Sequence, residues 1–227
     1  MASLLDVPED RFRLVPMGLA DPESFGQREG GRADGLTVGY LARICPHKGF
    51  HILVDAFLRL RAMPGTERAR LHVAGWLGRS DRAFFEQQRR KLAAAGAIEA
   101  FEHVEVPDRE SKIRFLNGLD LLSVPTVYRE PKGIYALEAL AAGVPVVLPA
   151  HGAFPELLEA TGGGRLFEPG VPERLAGVLH ELLVDPGARA RLAEEGRDRV
   201  RERFDAVTMA RRTLDVWRQY ARPAQDA

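Results

Sequence analysis

The chain has 227 residues, of which 45% are hydrophobic and 28% are charged, a composition typical of a globular protein with one large domain or two small ones. Lys plus Arg and Asp plus Glu number 32 each, so no net field attracts nucleic acid or an anionic membrane. A single cysteine, Cys45, excludes an internal disulfide framework and a cysteine-based zinc site.

The sequence contains neither a membrane-span pattern nor a signal-peptide pattern. No apolar run approaches the roughly 20 residues of a membrane span, and residues 1–6 lack the charged and apolar stretches of a signal peptide. We therefore expect a cytoplasmic location, with membrane association through sequence outside this chain as the alternative.

The first 34 residues are predicted to be a connector. They combine a short amphipathic start, an extended stretch over residues 11–16 and a polar, glycine-rich loop around residues 27–31.

From Leu36 onward, short apolar runs alternate with segments of helical periodicity. The runs that we interpret as strands are residues 36–41, 71–75, 101–106, 120–125, 144–148 and 165–167. Strands that alternate with helices are joined in parallel by right-handed crossovers. The sequence therefore predicts an α/β fold over residues 35–205, a doubly wound, Rossmann-like parallel sheet whose ligands bind outside the carboxyl ends of the strands.

Three further helices are predicted near residues 173–184, 188–203 and 206–220. The last of them carries Val207, Ala210, Leu214 and Trp217 in an apolar stripe at helical spacing, which must pack against another surface. Residues 206–227 are therefore predicted to be a separate C-terminal helix.

Two cations, Arg43 and Lys48, follow the first strand in a loop shaped by Pro46 and Gly49. At the carboxyl end of that strand they can converge on a diphosphate, which the N-terminus of the next helix also approaches. The alternative is a charged surface loop. Lys48 is one of only four lysines in the chain, which favours a specific role for it.

Two carboxylates, Glu130 and Glu138, lie eight positions apart around a loop-to-helix junction. Pro131 and Gly133 favour a loop after Glu130, whereas Glu138 falls near the second turn of an apolar helix, where a buried carboxylate needs a partner. Such a pair can reach two hydroxyl-bearing parts of one ligand, while the helix N-terminus offers N–H groups to phosphate. This arrangement favours a nucleotide sugar. The alternatives are a solvated loop acid and a helix-surface glutamate.

Other motifs in the sequence are weak or absent. Neither G-x-G-x-x-G nor G-x-x-x-x-G-K-[ST] occurs, which argues against NAD-dependent dehydrogenases and P-loop NTPases. The six histidines show no metal-ligand spacing, and we expect no metal. His151 and Gly152 end a predicted strand at the presumed ligand edge, so they are candidate ligand contacts.

Together these segments resemble the C-terminal, donor-binding half of the retaining glycosyltransferases of the GT-B fold, the group often called glycosyltransferase family 4 or group 1. The likeness covers nearly the whole chain. Glu130 to Glu138 is similar to the E-x7-E signature of that family, which implies that Glu130 contacts the donor sugar and Glu138 the ribose hydroxyls. By the same resemblance, Arg43 and Lys48 would grip the diphosphate, and the backbone of Gly133-Ile134-Tyr135 would approach sugar and phosphate.

The chain departs from the family pattern at Lys132, where Phe is usual, and at Met17, where Asn is frequent. A cation beside the donor pocket either alters the preferred sugar or points outward. The candidate catalytic residues are Glu130, Arg43 and Lys48. The candidate substrate-binding residues are Glu138, Lys132, Gly133, Ile134, Tyr135, His151 and Gly152.

The resemblance also implies a second Rossmann-like domain that holds the acceptor, so this chain is expected to be one half of a GT-B architecture. Residues 15–19 are similar to the segment that enters the second domain of such enzymes, and the closing helix to the one that returns to the first. The expected function is to bind a nucleotide-diphosphate sugar for retaining transfer. No cofactor is expected, and turnover should be poor without an acceptor domain or partner chain.

Two other functions stay open at this point. One is a non-catalytic scaffold or assembly domain, in which the exposed inter-domain face could pair two copies. The other is a nucleotide-sugar epimerase of the same overall fold, against which the E-x7-E arrangement argues.

Overall fold

The computed structural model describes residues 8, 11–26 and 36–221. The predicted amphipathic start and the glycine-rich loop around residues 27–31 lie outside the described residues, as do residues 222–227.

A single sheet of six parallel strands forms the centre of the described structure, in the order β3-β2-β1-β4-β5-β6. The strands are β1 (Thr37–Leu41), β2 (Arg70–Ala74), β3 (Phe101–Val104), β4 (Leu121–Leu122), β5 (Val146–Pro149) and β6 (Gly164–Phe167). The chain builds outward from β1 to β3 and then crosses to β4 on the other side of β1. This reversal leaves a crevice at the carboxyl ends of β1 and β4, where doubly wound sheets bind their ligands. The predicted fold class is confirmed.

The part of the chain that the structure describes contains eight α-helices. They are α1 (Phe50–Leu60), α2 (Arg82–Ala94), α3 (Arg109–Asn117), α4 (Ile134–Ala141), α5 (Phe154–Thr161), α6 (Pro172–Val184), α7 (Pro186–Arg203) and α8 (Ala206–Tyr220). Side-chain caps fix several N-termini: Asp185 accepts a hydrogen bond from the N–H of Ala188, and Asp205 from that of Thr208. The fourth strand is shorter than the predicted residues 120–125, since its ladder covers only Leu121–Leu122.

Alternate strand residues face opposite layers of the core. Tyr40 and Val73 pack in one hydrophobic cluster with α1 and α6, while Leu41 and Ala74 pack in the other with α4 and α5. Both faces of the sheet are therefore covered, as an all-parallel sheet requires.

A short parallel bridge joins Leu19 to Asp205. The N–H of Leu19 donates to the carbonyl oxygen of Phe204 over 2.7 Å, and the N–H of Ala206 donates to that of Leu19 over 2.8 Å. A Cβ on Gly18 would lie 2.3 Å from the carbonyl oxygen of Asp205, so only glycine permits this approach. We call residues 18–19 with residues 204–206 the neck. Leu19 is itself buried in the core, although it lies in the predicted connector.

The last helix, α8, leaves its predicted apolar stripe in solvent. Val207, Leu214 and Trp217 are 66%, 52% and 70% exposed, so no other described segment covers them. The surface against which this stripe packs stays a prediction. None of the helices described is both long and apolar enough to cross a membrane.

Candidate functional site

Three loops meet at the carboxyl ends of the central strands. They are residues 42–49 after β1, residues 123–133 after β4 and residues 150–153 after β5. The N–H of Val127 donates to the carbonyl oxygen of His47 over 2.9 Å, and the N–H of Ala153 donates to that of Glu130 over 2.8 Å. Backbone hydrogen bonds thus join the loop that carries Glu130 to the loops on both sides.

Lys48 and Glu130 form an ion pair inside this group of loops. The Nζ of Lys48 lies 2.5 Å from Oε2 of Glu130, and the two side chains are 15% and 8% exposed. The hydroxyl of Tyr128 donates to the same carboxylate oxygen over 2.8 Å. The N–H of Lys132 reaches Oε1 over a longer distance of 3.4 Å. Glu130 is therefore not a solvated loop acid, and Lys48 does not belong to a free surface loop.

Two aromatic rings complete the surroundings of Lys48. Its Nζ lies 5.1 Å from the ring centre of Tyr128 and 5.3 Å from that of Tyr135, within the range of cation–π attraction. The hydroxyl oxygen of Tyr135 is buried and has no hydrogen-bond partner in the described part of the chain. Sequence reasoning assigned Tyr135 only a backbone role and gave Tyr128 none. The available signal was the placement of both aromatics within five residues of Glu130.

Electrostatics keep this pair ionised. Burial by itself would raise the pKa of the Glu130 carboxyl, but hydrogen bonds from Lys48 and Tyr128 and the charge of Lys48 bring that pKa below its usual value. Burial by itself would lower the pKa of the Lys48 ammonium, and its contacts with Glu130 and Tyr128 raise that pKa instead. Burial, with the Glu130 charge nearby, also raises the pKa of Tyr135.

Glu138 forms an ion pair with a residue that the sequence analysis did not identify. The Nζ of Lys112, on α3, lies 2.5 Å from Oε1 of Glu138, on α4, and the Glu138 side chain is only 12% exposed. The predicted need for a partner is thus met within the chain. Both glutamates of the E-x7-E segment are paired with lysines.

Arg43 differs from Lys48 although both lie on the loop after β1. Its side chain is exposed and makes no ion pair with any described residue, while its carbonyl oxygen accepts a hydrogen bond from the buried Tyr40 hydroxyl over 2.8 Å. The structure therefore pins the backbone at Arg43 and leaves its guanidinium accessible to a ligand.

The N-terminus of α4 lies between the two glutamates. Gly133 is the N-cap residue in a left-handed conformation, and no side chain caps the helix. The first N–H groups of an α-helix, here at Ile134 and Tyr135, have no intrahelical acceptor. An anion at this position would meet unpaired donors and the positive end of the helix dipole.

His151 and Gly152 hold the Glu130 loop from the β5 side. Nε2 of His151 lies 2.9 Å from the carbonyl oxygen of Thr126, which can only accept, so this nitrogen is the donor. Gly152 has φ of +62°, and a Cβ there would lie 2.5 Å from the carbonyl oxygen of Glu130. Both residues thus contact the loop after β4, over residues 126–130. That either of them contacts a ligand stays a prediction.

Lys132 lines a mostly apolar cavity of about 330 Å³ beside this loop. The cavity lies between residues 14–17 and the helices α4 and α5, and its other charged lining residue is Glu156. The Lys132 side chain is exposed and forms no ion pair with a described residue.

Among described residues, no group of three or more His, Cys, Asp or Glu side chains could hold a metal ion.

Comparison with known proteins identifies the family. The family described as "Glycosyl transferases group 1" matches residues 24–199. The chain belongs to this family. The group 1 chain is 32% identical over 203 residues to a D-inositol 3-phosphate glycosyltransferase of Acidothermus cellulolyticus, an alignment that covers 85% of this chain and 44% of that protein.

Solved structures share the fold. The C-terminal domain of the group 1 family protein LpcC from Francisella tularensis superposes with a TM-score of 0.74 at 23% identity, covering 83% of this chain and all of that one. HepE of Anabaena, solved in complex with UDP-glucose, gives a TM-score of 0.71 at 25% identity, over 82% of this chain and 50% of that one.

The curated relatives that this chain matches are larger proteins. This group 1 chain spans 56%, 49% and 41% of the length of three of the curated relatives that it matches. The resemblance to the C-terminal domain of group 1 glycosyltransferases is confirmed, whereas the roles of individual site residues stay predictions.

Proposed function

We propose that this chain is the donor-binding domain of a retaining glycosyltransferase that takes its sugar from a nucleotide-diphosphate sugar. The observation that carries the proposal is the pair of lysine-bound glutamates, Glu130 and Glu138, on either side of the uncapped N-terminus of α4. This arrangement lies at the switch point of the sheet, where such folds bind nucleotides. Family membership supports glycosyl transfer.

The charges fit an extended donor with three parts. The diphosphate would lie at the N-terminus of α4, whose N–H groups point to it. Glu130 would accept hydrogen bonds from sugar hydroxyls on one side, and Glu138 from ribose hydroxyls on the other. Lys48, bound to Glu130, would then stand between sugar and diphosphate, with the exposed Arg43 as the second cation.

Lys48 and Arg43 would supply electrostatic catalysis. Negative charge grows on the diphosphate as its bond to the sugar breaks, and fixed cations and N–H groups at that point stabilise the transition state. The rings of Tyr128 and Tyr135 and the Glu130 carboxylate hold the Lys48 ammonium before the ligand arrives, so less reorganisation is needed during the reaction.

Acceptor binding and partners are proposed from the resemblance alone. A preceding domain or a partner chain would hold the acceptor, and transfer by this chain alone would be slow because orientation of the acceptor supplies much of the rate. We propose a cytoplasmic enzyme that uses no separate cofactor.

Calorimetric titration with UDP-, GDP- and ADP-glucose tests the proposal. We expect one of these nucleotide sugars, or its free nucleoside diphosphate, to bind, and the double variant Arg43→Ala with Lys48→Ala to abolish that binding. Lys91→Ala is the matched control, because Lys91 pairs with Asp55 between α1 and α2. A folded wild-type chain that binds none of the nucleotides would refute the proposal, and self-association in their place would favour the assembly function.

A further inference from the structure

We propose that Lys112 is a positioning residue that fixes the Glu138 carboxylate for recognition of the donor's ribose. The site would then discriminate ribonucleotides from deoxyribonucleotides through an ion pair between two helices. This inference rests on the proposed function and adds to it a residue outside the E-x7-E segment.

The position of Lys112 in the fold gives it access to the switch point. It lies in the first turn of α3, the helix that crosses from β3 to β4 and so joins the two halves of the sheet. A capping box fixes that turn: Asp108 accepts from the N–H of Ser111 over 2.7 Å, and the N–H of Asp108 donates to the Ser111 hydroxyl over 3.2 Å. The backbone that carries Lys112 is therefore held in place before any ligand binds.

The ion pair leaves one carboxylate oxygen available. Nζ of Lys112 contacts Oε1 of Glu138, and no described residue donates a hydrogen bond to Oε2. The Glu138 side chain is itself only 12% exposed, so it has little freedom once Oε1 is engaged. Oε2 is thus the acceptor that can take a hydrogen bond from a ribose hydroxyl.

Lys112 also offsets a charge conflict. A diphosphate at the N-terminus of α4 would bring two negative charges close to the Glu138 carboxylate, and like charges at such distances repel. The Lys112 ammonium neutralises the carboxylate, so that it can serve as a hydrogen-bond acceptor without opposing the diphosphate. Loss of Lys112 should weaken the binding of all nucleotides, because the Glu138 carboxylate would repel the diphosphate. It should weaken the binding of ribonucleotides further, because Oε2 would be misplaced.

The ratio of affinities for ribo- and deoxyribonucleotides separates positioning from a purely structural role. The probes are the nucleoside diphosphate that binds best among UDP, GDP and ADP, with its 2′-deoxy and 3′-deoxy forms, measured by calorimetry. For the wild type we expect at least one deoxy form to bind about 10-fold more weakly, since a buried acceptor loses its donor. For Lys112→Met the ratio should fall to about 3-fold or less, and Lys112→Arg should recover part of it.

Controls distinguish this inference from the proposed function. Lys91→Met should leave the ratio unchanged, and the melting temperature of each variant reports general destabilisation. If Lys112→Met does not fold, Lys112→Gln, which keeps a hydrogen-bond donor, takes its place with the same expected direction. Suppose that the wild type binds nucleotide and prefers the ribo form. If the folded Lys112 variant then keeps the same ratio of ribo to deoxy affinities, the inference is overturned and the proposed function is not. A wild type that binds without any ribose preference also overturns the inference, whereas a wild type that binds no nucleotide overturns the proposed function.

Discussion

Replacing Lys48 with Met would test whether the pair with Glu130 stabilises the fold as well as the site. The variant keeps an unbranched side chain one atom shorter and removes the charge. The Glu130 carboxylate, which is 8% exposed, then retains only the hydrogen bond from Tyr128 and a long contact to the N–H of Lys132. Breaking one partner of a buried ion pair typically costs about 3–5 kcal/mol.

Protonation limits this loss. At pH 7 an orphaned carboxyl can take up a proton at a cost of about 1.4 kcal/mol for each pH unit above its usual pKa. With that value at 4.5, the upper limit is about 3.4 kcal/mol, and the remaining hydrogen bond from Tyr128 reduces it further. We expect Lys48→Met to lower the free energy of unfolding by about 2–3 kcal/mol, equivalent to a fall of roughly 5–10 °C in melting temperature.

Urea unfolding from pH 4 to pH 7 is the assay. The pKa of Glu130 is lowered in the folded wild type, so the pair stabilises the fold above the ordinary glutamate pKa, and this contribution is lost as the pH falls through the folded value. The difference between wild type and Lys48→Met should therefore narrow towards pH 4.

Two controls sharpen the test. Lys91→Met breaks an ion pair whose lysine is 47% exposed and should cost less than about 1 kcal/mol. The double variant Lys48→Met with Glu130→Gln should lose less than the sum of its single variants. A loss no larger than that of Lys91→Met, with no dependence on pH, would refute the reasoning.

Three further substitutions test other parts of the site. Gly152→Ala should destabilise the chain by at least about 1 kcal/mol more than Gly170→Ala, because both have positive φ but only a Cβ at 152 meets the backbone of Glu130; equal losses in urea unfolding would contradict this. Asp108→Ala should cost about 1 kcal/mol through loss of the α3 cap, and Asp108→Asn much less, by the same measurement. Lys132→Ala should weaken donor affinity or change donor preference in a thermal-shift panel of UDP-, GDP- and ADP-sugars; unchanged binding across the panel rejects a donor contact.

The local pattern of the sequence was enough to predict most of the fold. The apolar runs and helical periodicity place the strands and helices to within a few residues, because alternation of buried strands and crossover helices leaves few topologies. The ends of the strands are less predictable. The fourth strand forms only two residues of ladder, although the apolar run continues beyond it.

Side-chain partners in the site depend on contacts between distant segments. Lys48 meets Glu130 across 82 positions and Lys112 meets Glu138 across 26, and neither spacing has a local signature. Sequence reasoning identified both glutamates and Lys48, and it predicted that Glu138 needs a partner. It could not name Lys112, because only the fold places the long side chains of Lys112 on α3 and Glu138 on α4 within reach of each other.

The neck has a consequence for how this unit can be moved between proteins. Residues 18–19 and 204–206 are hydrogen-bonded neighbours. The segment between them therefore begins and ends at the same place in the structure. A segment with adjacent ends can be inserted into a loop of another protein, or circularly permuted at a surface turn, without separating any strands of the sheet. Residues 19–205 can therefore be transferred as one unit. Gene fusion, with or without circular permutation, could join this unit to different partners while the loops around Glu130 stay intact.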